Sequence, residues 1–131
     1  MLDIMNKFKR NNGQTLVEMA IVLPILVAII FGMTDFARVL NGYLATTEAS
    51  REGARVAALS GNDAAVVLAV SNAAPNLDPT KLTVTTLPAA RTRGDAVTVT
   101  VTYNIDIITP LINTMLTNPL PITSKTIMRV E

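Results

Sequence analysis

The chain has 131 residues, of which 50% are hydrophobic and only 4% aromatic, and its 11 basic and 10 acidic residues leave a net charge of +1. A charge balance of this kind argues against nucleic acid as an electrostatic partner. The sequence contains no Cys, His or Trp, which excludes disulfide bonds, His-based acid–base catalysis, Cys nucleophiles and the usual zinc ligands. We therefore expect no cofactor, no metal and no enzymatic activity.

Residues 1–13 form a short basic leader. Lys7, Lys9 and Arg10 outnumber its one acidic residue, Asp3. Positive residues that flank a membrane span stay in the cytoplasm. The leader therefore predicts a cytoplasmic N-terminus and an extracytoplasmic C-terminal region.

An apolar segment long enough to cross a bilayer follows the leader. Residues 14–34 carry a single charge, Glu18, and these 21 residues would extend about 31 Å as a helix, close to the hydrocarbon thickness of a membrane. We assign residues 14–34 as a transmembrane helix, in which Pro24 is tolerated although it removes one backbone hydrogen bond. A carboxylate deep in lipid costs about 2.5–3.5 kcal/mol. Glu18 is therefore expected to have a partner and is a candidate functional residue.

The helix is predicted to continue outside the membrane over residues 35–60, with Gly61 just past its end. An apolar stripe at helical spacing follows the span: Phe36, Val39, Leu40, Tyr43, Leu44 and Thr47. The stripe then narrows to small residues, which let another element approach closely: Ser50, Ala54, Ala57 and Ala58. Opposite charges three residues apart are expected to pair on the solvated side: Asp35–Arg38, Glu48–Arg51 and Glu52–Arg55.

Residues 61–131 are predicted to form a small α+β head. Residues 63–74 indicate a short helix capped by Asn62 or Asp63, and residues 109–116 a turn or two of helix with Thr109 as the cap. Alternating patterns predict strands at residues 82–87, 96–105 and 124–131. Loops are expected at residues 75–79, 88–95 and 118–121.

The longest alternating run, residues 96–105, predicts a sheet with one buried and one solvated face. The residues assigned to the buried face are Val97, Val99, Val101, Tyr103 and Ile105. The small-residue end of the preceding helix is the available cover for that face. The predicted fold class is α+β: a long N-terminal membrane-spanning helix continues into a spine helix, which packs on a small antiparallel β-sheet head.

Within the head, Arg93, Gly94 and Asp95 match the adhesion triplet that integrins recognise. The triplet lies where a hairpin requires a glycine, and three-residue matches often arise by chance. We interpret it as a turn.

Several runs in the first half of the chain resemble the TadE-like pseudopilins of tight-adherence (Tad/Flp, type IVc) pilus systems. The runs are Gly-Gln-Thr-Leu-Val-Glu at residues 13–18, Val-Leu-Pro at 22–24, Phe-Gly-Met-Thr-Asp-Phe-Ala-Arg at 31–38 and Ala-Ser-Arg-Glu-Gly-Ala-Arg-Val-Ala-Ala at 49–58. The resemblance is dense over residues 7–58 and looser beyond them. A basic leader, Gly13 and a glutamate five residues later also resemble a class III (type IV prepilin) signal.

In that family a membrane-embedded aspartic peptidase cuts after the glycine. The resemblance therefore implies cleavage between Gly13 and Gln14, which makes Glu18 the fifth residue of the mature chain. It also implies partners: a prepilin peptidase, other pilin and pseudopilin subunits, and an inner-membrane assembly platform with its ATPase. The implied location is the inner membrane, crossed once, with the pilus filament as a further location.

The function implied is that of a prepilin-processed minor pilin or pseudopilin, which takes part in assembly or initiation of a type IVc pilus and supports surface adherence. Cleavage would free the α-amino group of Gln14 about one helical turn from Glu18. The two charges would then pair within one helix or between neighbouring subunits. A Glu18 that is solvated at the headgroup boundary is the simpler alternative.

Three other interpretations stay open. An uncleaved, single-pass structural or scaffolding protein of the cell envelope would use the same span and head, and would differ at Gly13. A secretory signal peptide would have a shorter apolar core and a small-residue cleavage site, which the Phe-Gly-Met-Thr run at residues 31–34 lacks. A membrane-tethered hydrolase would need a nucleophile motif, whereas the Asp, Glu and Ser residues are scattered over loops and solvated faces.

Overall fold

The computed structural model describes residues 2–60 and 62–131, with the backbone alone for residues 2–12, 60 and 111. The elements in chain order are helix α1 (Leu2–Ser60), helix α2 (Asp63–Ala73), a 3₁₀ turn (Pro79–Lys81), strand β1 (Leu82–Leu87), strand β2 (Ala96–Ile105), helix α3 (Pro110–Asn113) and strand β3 (Leu120–Arg129). The α+β prediction is confirmed. The predicted role of Gly61 in ending the first helix lies outside the described residues.

Helix α1 runs without interruption through the predicted leader, the predicted span and the continuation. Pro24 lies inside it and does not end it, because one missing hydrogen bond leaves the neighbouring turns intact. Residues 13–31 are all exposed, and the most apolar 18-residue window has a mean hydropathy of 2.6. One exposed apolar helix near the N-terminus fits a single-pass membrane protein.

The three strands form one antiparallel sheet in the order β1–β2–β3. Val99 of the central strand pairs with Thr86 of β1 and with Thr126 of β3. The predicted faces are confirmed, although Tyr103 is only half-buried. The β2 side chains buried in the core are Val97, Val99, Val101 and Ile105.

Strand β2 runs back along α1. The side chain of its last residue, Ile105, packs against Gly42. The side chain of Val99 packs against Gly53, which is farther from the predicted span. At the far end of the head, the backbone N–H of Glu131 donates to the carbonyl of Ala58 (3.2 Å). The C-terminal end of β2 and the loop that follows it are therefore the part of the head nearest the span.

Small side chains on α1 allow the sheet and α2 to approach closely, as predicted. The hydroxyl of Ser50 lies 3.0 Å from that of Ser124 and 2.8 Å from that of Thr126, so three hydroxyl groups satisfy one another between α1 and β3. The small residues of α1 that are buried here are Gly42, Ala45, Ala49, Ser50, Gly53, Ala54, Ala57 and Ala58.

The apolar stripe predicted beyond the span lies on the outer side of α1, away from the sheet. Phe36 is 69% exposed, and Leu40, Tyr43 and Leu44 are also exposed. The side chains of β2 pack against α1 at Gly42 and Gly53, where α1 has no side chain, and the large side chains of α1 lie on the opposite surface.

Strand β3 begins earlier than predicted. Leu120 and Pro121 belong to the strand and pair with Ile105 and Asn104, whereas the sequence indicated a loop through Pro121. A proline lacks the N–H that a central strand needs, but β3 is an edge strand with one neighbour, and an edge tolerates proline.

The assignment of the two sheet faces can be tested with a pair of neighbouring substitutions. Val99→Asp places a charge without a partner in a fully buried position, and we expect it to cost on the order of 4 kcal/mol or more. Thr100→Asp, on the opposite face and paired with Lys125, should change the stability by about 0.5 kcal/mol or less. Urea unfolding of the full chain in detergent micelles, followed by tyrosine fluorescence, measures both. Equal tolerance of the two substitutions would show that the register is wrong.

Candidate functional site: the membrane helix and the base of the head

The three residues predicted for processing and assembly lie on neighbouring turns of α1. Gly13, Gln14 and Glu18 are all exposed, and no atom of the described side chains lies within 4 Å of the place where a Cβ on Gly13 would be. The side-chain amide of Gln14 donates a hydrogen bond to Glu18 (3.3 Å). The structure thus brings Gln14 and Glu18 together across one turn of helix.

A second polar site, which the sequence did not indicate as one, lies where the head meets α1. The carboxylate of Asp35, only 5% exposed, accepts hydrogen bonds from the backbone N–H groups of Ile108 (3.1 Å) and Thr109 (2.8 Å) and from the Thr109 hydroxyl (2.7 Å). Arg38 lies 3.3 Å from the same carboxylate and also donates to the carbonyl of Asp106 (2.9 Å). A buried carboxylate with this many donors fixes the β2–β3 loop to α1.

One expectation about this site was therefore wrong, and a second was right only in position. The Asp35–Arg38 pair exists, but Asp35 is buried under the head instead of lying on the solvated side. Thr109 is the N-cap residue of α3, as predicted, but its side chain makes no capping hydrogen bond, and its hydroxyl donates to Asp35 instead. In both cases the partner lies more than 70 positions away along the chain, where a local pattern gives no signal.

The donors around Asp35 hold the pKa of its carboxyl below the ordinary value. The Thr109 hydroxyl has the largest effect, and the backbone N–H groups of Thr109 and Ile108 and the charge of Arg38 act in the same direction, against the effect of burial. Asp35 is therefore ionised at neutral pH. It follows directly after the predicted span of residues 14–34.

Acid should weaken the head through Asp35. Folding lowers the pKa of Asp35. The stabilising contribution of Asp35 is therefore complete at pH values above its ordinary pKa of 3.8, and it is lost as the pH falls from that value through the lowered pKa. Asp35→Asn should lower the free energy of unfolding at neutral pH and make its decline in acid shallower, since one group fewer takes up a proton. Urea unfolding in detergent micelles at a series of pH values measures this.

The matched control for the acid experiment is Glu48→Gln, at an exposed position on the same helix. This substitution removes a carboxylate thirteen residues beyond Asp35 on α1 and should change the free energy of unfolding at neutral pH by about 0.5 kcal/mol or less. An Asp35→Asn profile parallel to that of the wild type would contradict the role assigned to the buried carboxylate.

A comparison with known protein families bears on the same helix. The family model described as TadE-like protein matches residues 13–55. Over this segment the chain is similar to TadE-like proteins. The match indicates a protein that is associated with the Tad pilus and has an N-terminal membrane helix. No curated protein and no solved structure matches the chain.

The TadE-like segment covers about a third of the chain and lies entirely within α1. It begins at Gly13 and includes Glu18, Asp35 and the two close-packed glycines, Gly42 and Gly53. The sheet and the β2–β3 loop lie outside it. The TadE-like family is structural and pilus-associated, so the match gives no support for catalysis.

Of the two other charge pairs predicted on α1, one forms. Arg55 donates to Glu52 (3.0 Å) on the surface of α1, whereas no ion pair joins Glu48 and Arg51 among the described residues. No group of three or more His, Cys, Asp or Glu side chains in the described part of the chain could hold a metal ion.

The adhesion-like triplet forms the turn that the sequence predicted. Gly94 has φ +93°, which favours glycine, and its N–H donates to the carbonyl of Val130 (2.9 Å). The Asp95 carboxylate accepts a hydrogen bond from the N–H of Thr92 (3.0 Å). These contacts account for the glycine and the aspartate by the geometry of the turn.

Proposed function

We propose that this TadE-like protein is a minor pilin or pseudopilin, cleaved after Gly13, that takes part in the assembly or initiation of a Tad pilus. The observation that carries the proposal is the family match that begins at Gly13, at the junction of a basic leader and an exposed apolar helix. The alternative, an uncleaved envelope scaffold, differs only in keeping the leader.

The proposal includes partners and an orientation. A prepilin peptidase would remove the leader, and other pilin subunits together with an inner-membrane platform and its ATPase would assemble the mature protein. The basic residues Lys7, Lys9 and Arg10 support a cytoplasmic leader, with the head outside the inner membrane or in the filament.

The local structure at Gly13 supports cleavage there. The Gly13–Gln14 bond lies in an exposed turn of helix, and none of the described side chains comes within 4 Å of the place where a Cβ on Gly13 would be. A peptidase reaches a helical peptide bond only after the turn opens, and a glycine makes opening easier, because it is about 1 kcal/mol less favourable in a helix than alanine.

Cleavage is tested by the N-terminus of the mature protein. Wild-type protein extracted from membranes should begin at Gln14, and Gly13→Leu should yield an uncut, membrane-bound precursor. Gly32→Ala is the matched control in the same helix, since its Cβ would meet only the end of Ile112 at 3.9 Å, and it should be cut normally. N-terminal sequencing and intact mass measure all three.

A wild-type protein that begins at Met1 would support the uncleaved scaffold instead. One that begins after Met33 would support a secretory signal. Either result would refute the proposal.

A further inference from the structure

The β2–β3 loop, residues 106–119, lies against α1 at the level where the predicted span ends. The Cδ1 atom of Ile112 is 3.9 Å from the place where a Cβ on Gly32 would lie, and Gly32 falls within residues 14–34. About one turn later in α1, the carboxylate of Asp35 accepts hydrogen bonds from the backbone N–H groups of Ile108 and Thr109. The loop is therefore fixed beside the last turn of the span.

This loop exposes large apolar side chains. Met115 is 82% exposed, Ile108 56% and Leu116 49%. No charged residue occurs between Asp106 and Lys125 in the sequence. The patch continues the apolar surface of the span, where Ile30, Phe31 and Met33 are also exposed. An exposed apolar patch of this kind marks a surface that is covered in the functional state.

Charged groups border the patch on the side toward the rest of the head. Asp106 pairs with Lys81 (2.5 Å), and its carbonyl accepts a hydrogen bond from Arg38 (2.9 Å). The apolar side chains thus lie next to the span, and the two cations, Lys81 and Arg38, lie farther from it. A leaflet presents its layers in the same order, from the acyl boundary to the phosphate groups.

Several backbone N–H groups of the loop donate hydrogen bonds to acceptors within the protein. The N–H of Ile107 donates to the side chain of Asn118 (3.1 Å), and those of Asn113, Met115 and Leu116 donate to backbone carbonyls of the same loop (each 3.0 Å). Asp35 accepts hydrogen bonds from two more, those of Ile108 and Thr109. These internal hydrogen bonds lower the cost of placing the loop at a membrane interface, where water still reaches the remaining polar groups.

We propose that the β2–β3 loop inserts Ile108, Met115 and Leu116 into the lipid interface on the head side of the membrane that α1 crosses. The head then rests on the bilayer at two points, the end of the span and this loop, and Asp35 joins them. The inference rests on α1 spanning a membrane, and it requires neither cleavage after Gly13 nor pilus assembly.

The chain contains no cysteine, so single-cysteine variants of the full-length protein can each carry one fluorescent label. Met115→Cys reports on the loop, Ile25→Cys on the span, and Ala90→Cys on the exposed loop at the far end of the head. Each labelled protein is reconstituted at a low protein-to-lipid ratio in phosphatidylcholine–phosphatidylglycerol vesicles. The quenchers are lipids brominated at a shallow or a deep acyl position, and iodide on both sides of the membrane.

The label at Met115 should be quenched by the shallow brominated lipid and should lose most of the iodide quenching seen at Ala90. The label at Ile25 should respond to the deep brominated lipid. Iodide quenching at Met115 as strong as at Ala90, with Ile25 still in lipid, would overturn the proposal while leaving the span intact. Shielding from iodide without quenching by brominated lipid would show that protein covers the loop, which also refutes it.

Brominated lipid that quenches none of the three labels would show that α1 does not span the membrane, and the inference would fall with the span. The cleavage experiment at Gly13 is independent of these readouts. A failed loop experiment and a failed proposed function can therefore be told apart.

Discussion

Gly53→Leu is expected to destabilise the head severely while the N-terminal helix still inserts into the membrane. A Cβ at Gly53 would lie 2.6 Å from Cγ2 of Val70 and 3.3 Å from Cγ1 of Val99. Both valines are fully buried and stiff at χ1, so neither can turn aside. Overpacking typically costs about 1–3 kcal/mol, and a leucine side chain at a contact this close should cost about 3 kcal/mol or more. Urea unfolding in detergent micelles, with protease resistance of the head, measures the loss.

Alanine substitutions at three glycines of α1 provide controls, because each adds one Cβ and the three differ in what that Cβ meets. A Cβ on Gly13 would meet none of the described side chains within 4 Å, so Gly13→Ala should leave the head unchanged. Gly42→Ala would place a Cβ 2.6 Å from Cδ1 of Ile105, which is the free end of a flexible side chain and can rotate away at small cost. Gly53→Ala should cost clearly more. Equal losses for Gly42→Ala and Gly53→Ala would contradict the packing described between α1, α2 and β2.

Glu18→Ala is expected to abolish incorporation of the subunit into a pilus or its assembly complex, while membrane insertion and cleavage after Gly13 continue. Glu18 is the only charge in residues 14–34, and its hydrogen-bond partner, Gln14, would acquire a positive α-amino group on cleavage. The new charge would compensate the carboxylate within one helix or across neighbouring subunits. The alanine variant removes one partner and leaves the amine unpaired.

The effect of Glu18→Ala is read in membrane and sheared-filament fractions and by recovery of other pilins in a pull-down. Gln14→Ala is the matched control, because it keeps both the α-amino group and Glu18 and loses only the side-chain hydrogen bond. It should assemble. Normal piliation and normal partner recovery with Glu18→Ala would show that the carboxylate is solvated at the headgroup boundary and has no role in assembly.

Local patterns predicted several elements of the head to the residue. Strands β1 and β2 have the bounds that alternation indicated, and α2 begins after Asn62, whose side chain accepts a hydrogen bond from the N–H of Ala64 (2.9 Å). These signals are reliable because a strand or a cap is determined by neighbours in the sequence. The candidate residues have other sources: Gly13 and Gln14 come from the resemblance to prepilin signals, and Glu18 from its single charge in an apolar segment, and their roles stay predictions.

The structure corrected the predictions that depended on distant partners. Asp35 looked like half of a surface pair with Arg38, since an aspartate near a helix surface is usually solvated. Pro121 looked like a loop residue because the sequence does not show which strand lies at the edge.

By itself, therefore, the sequence determined that the chain has an apolar helix long enough to span a membrane and a small α+β head, and it places Gly13 and Glu18 five residues apart, between a basic N-terminal stretch and the apolar run. Only the tertiary structure decided which face of α1 meets the sheet and that the β2–β3 loop is fixed at the end of the span. The reason is physical. Periodicity depends on residues a few positions apart, whereas the burial of Asp35 depends on Thr109, 74 positions away.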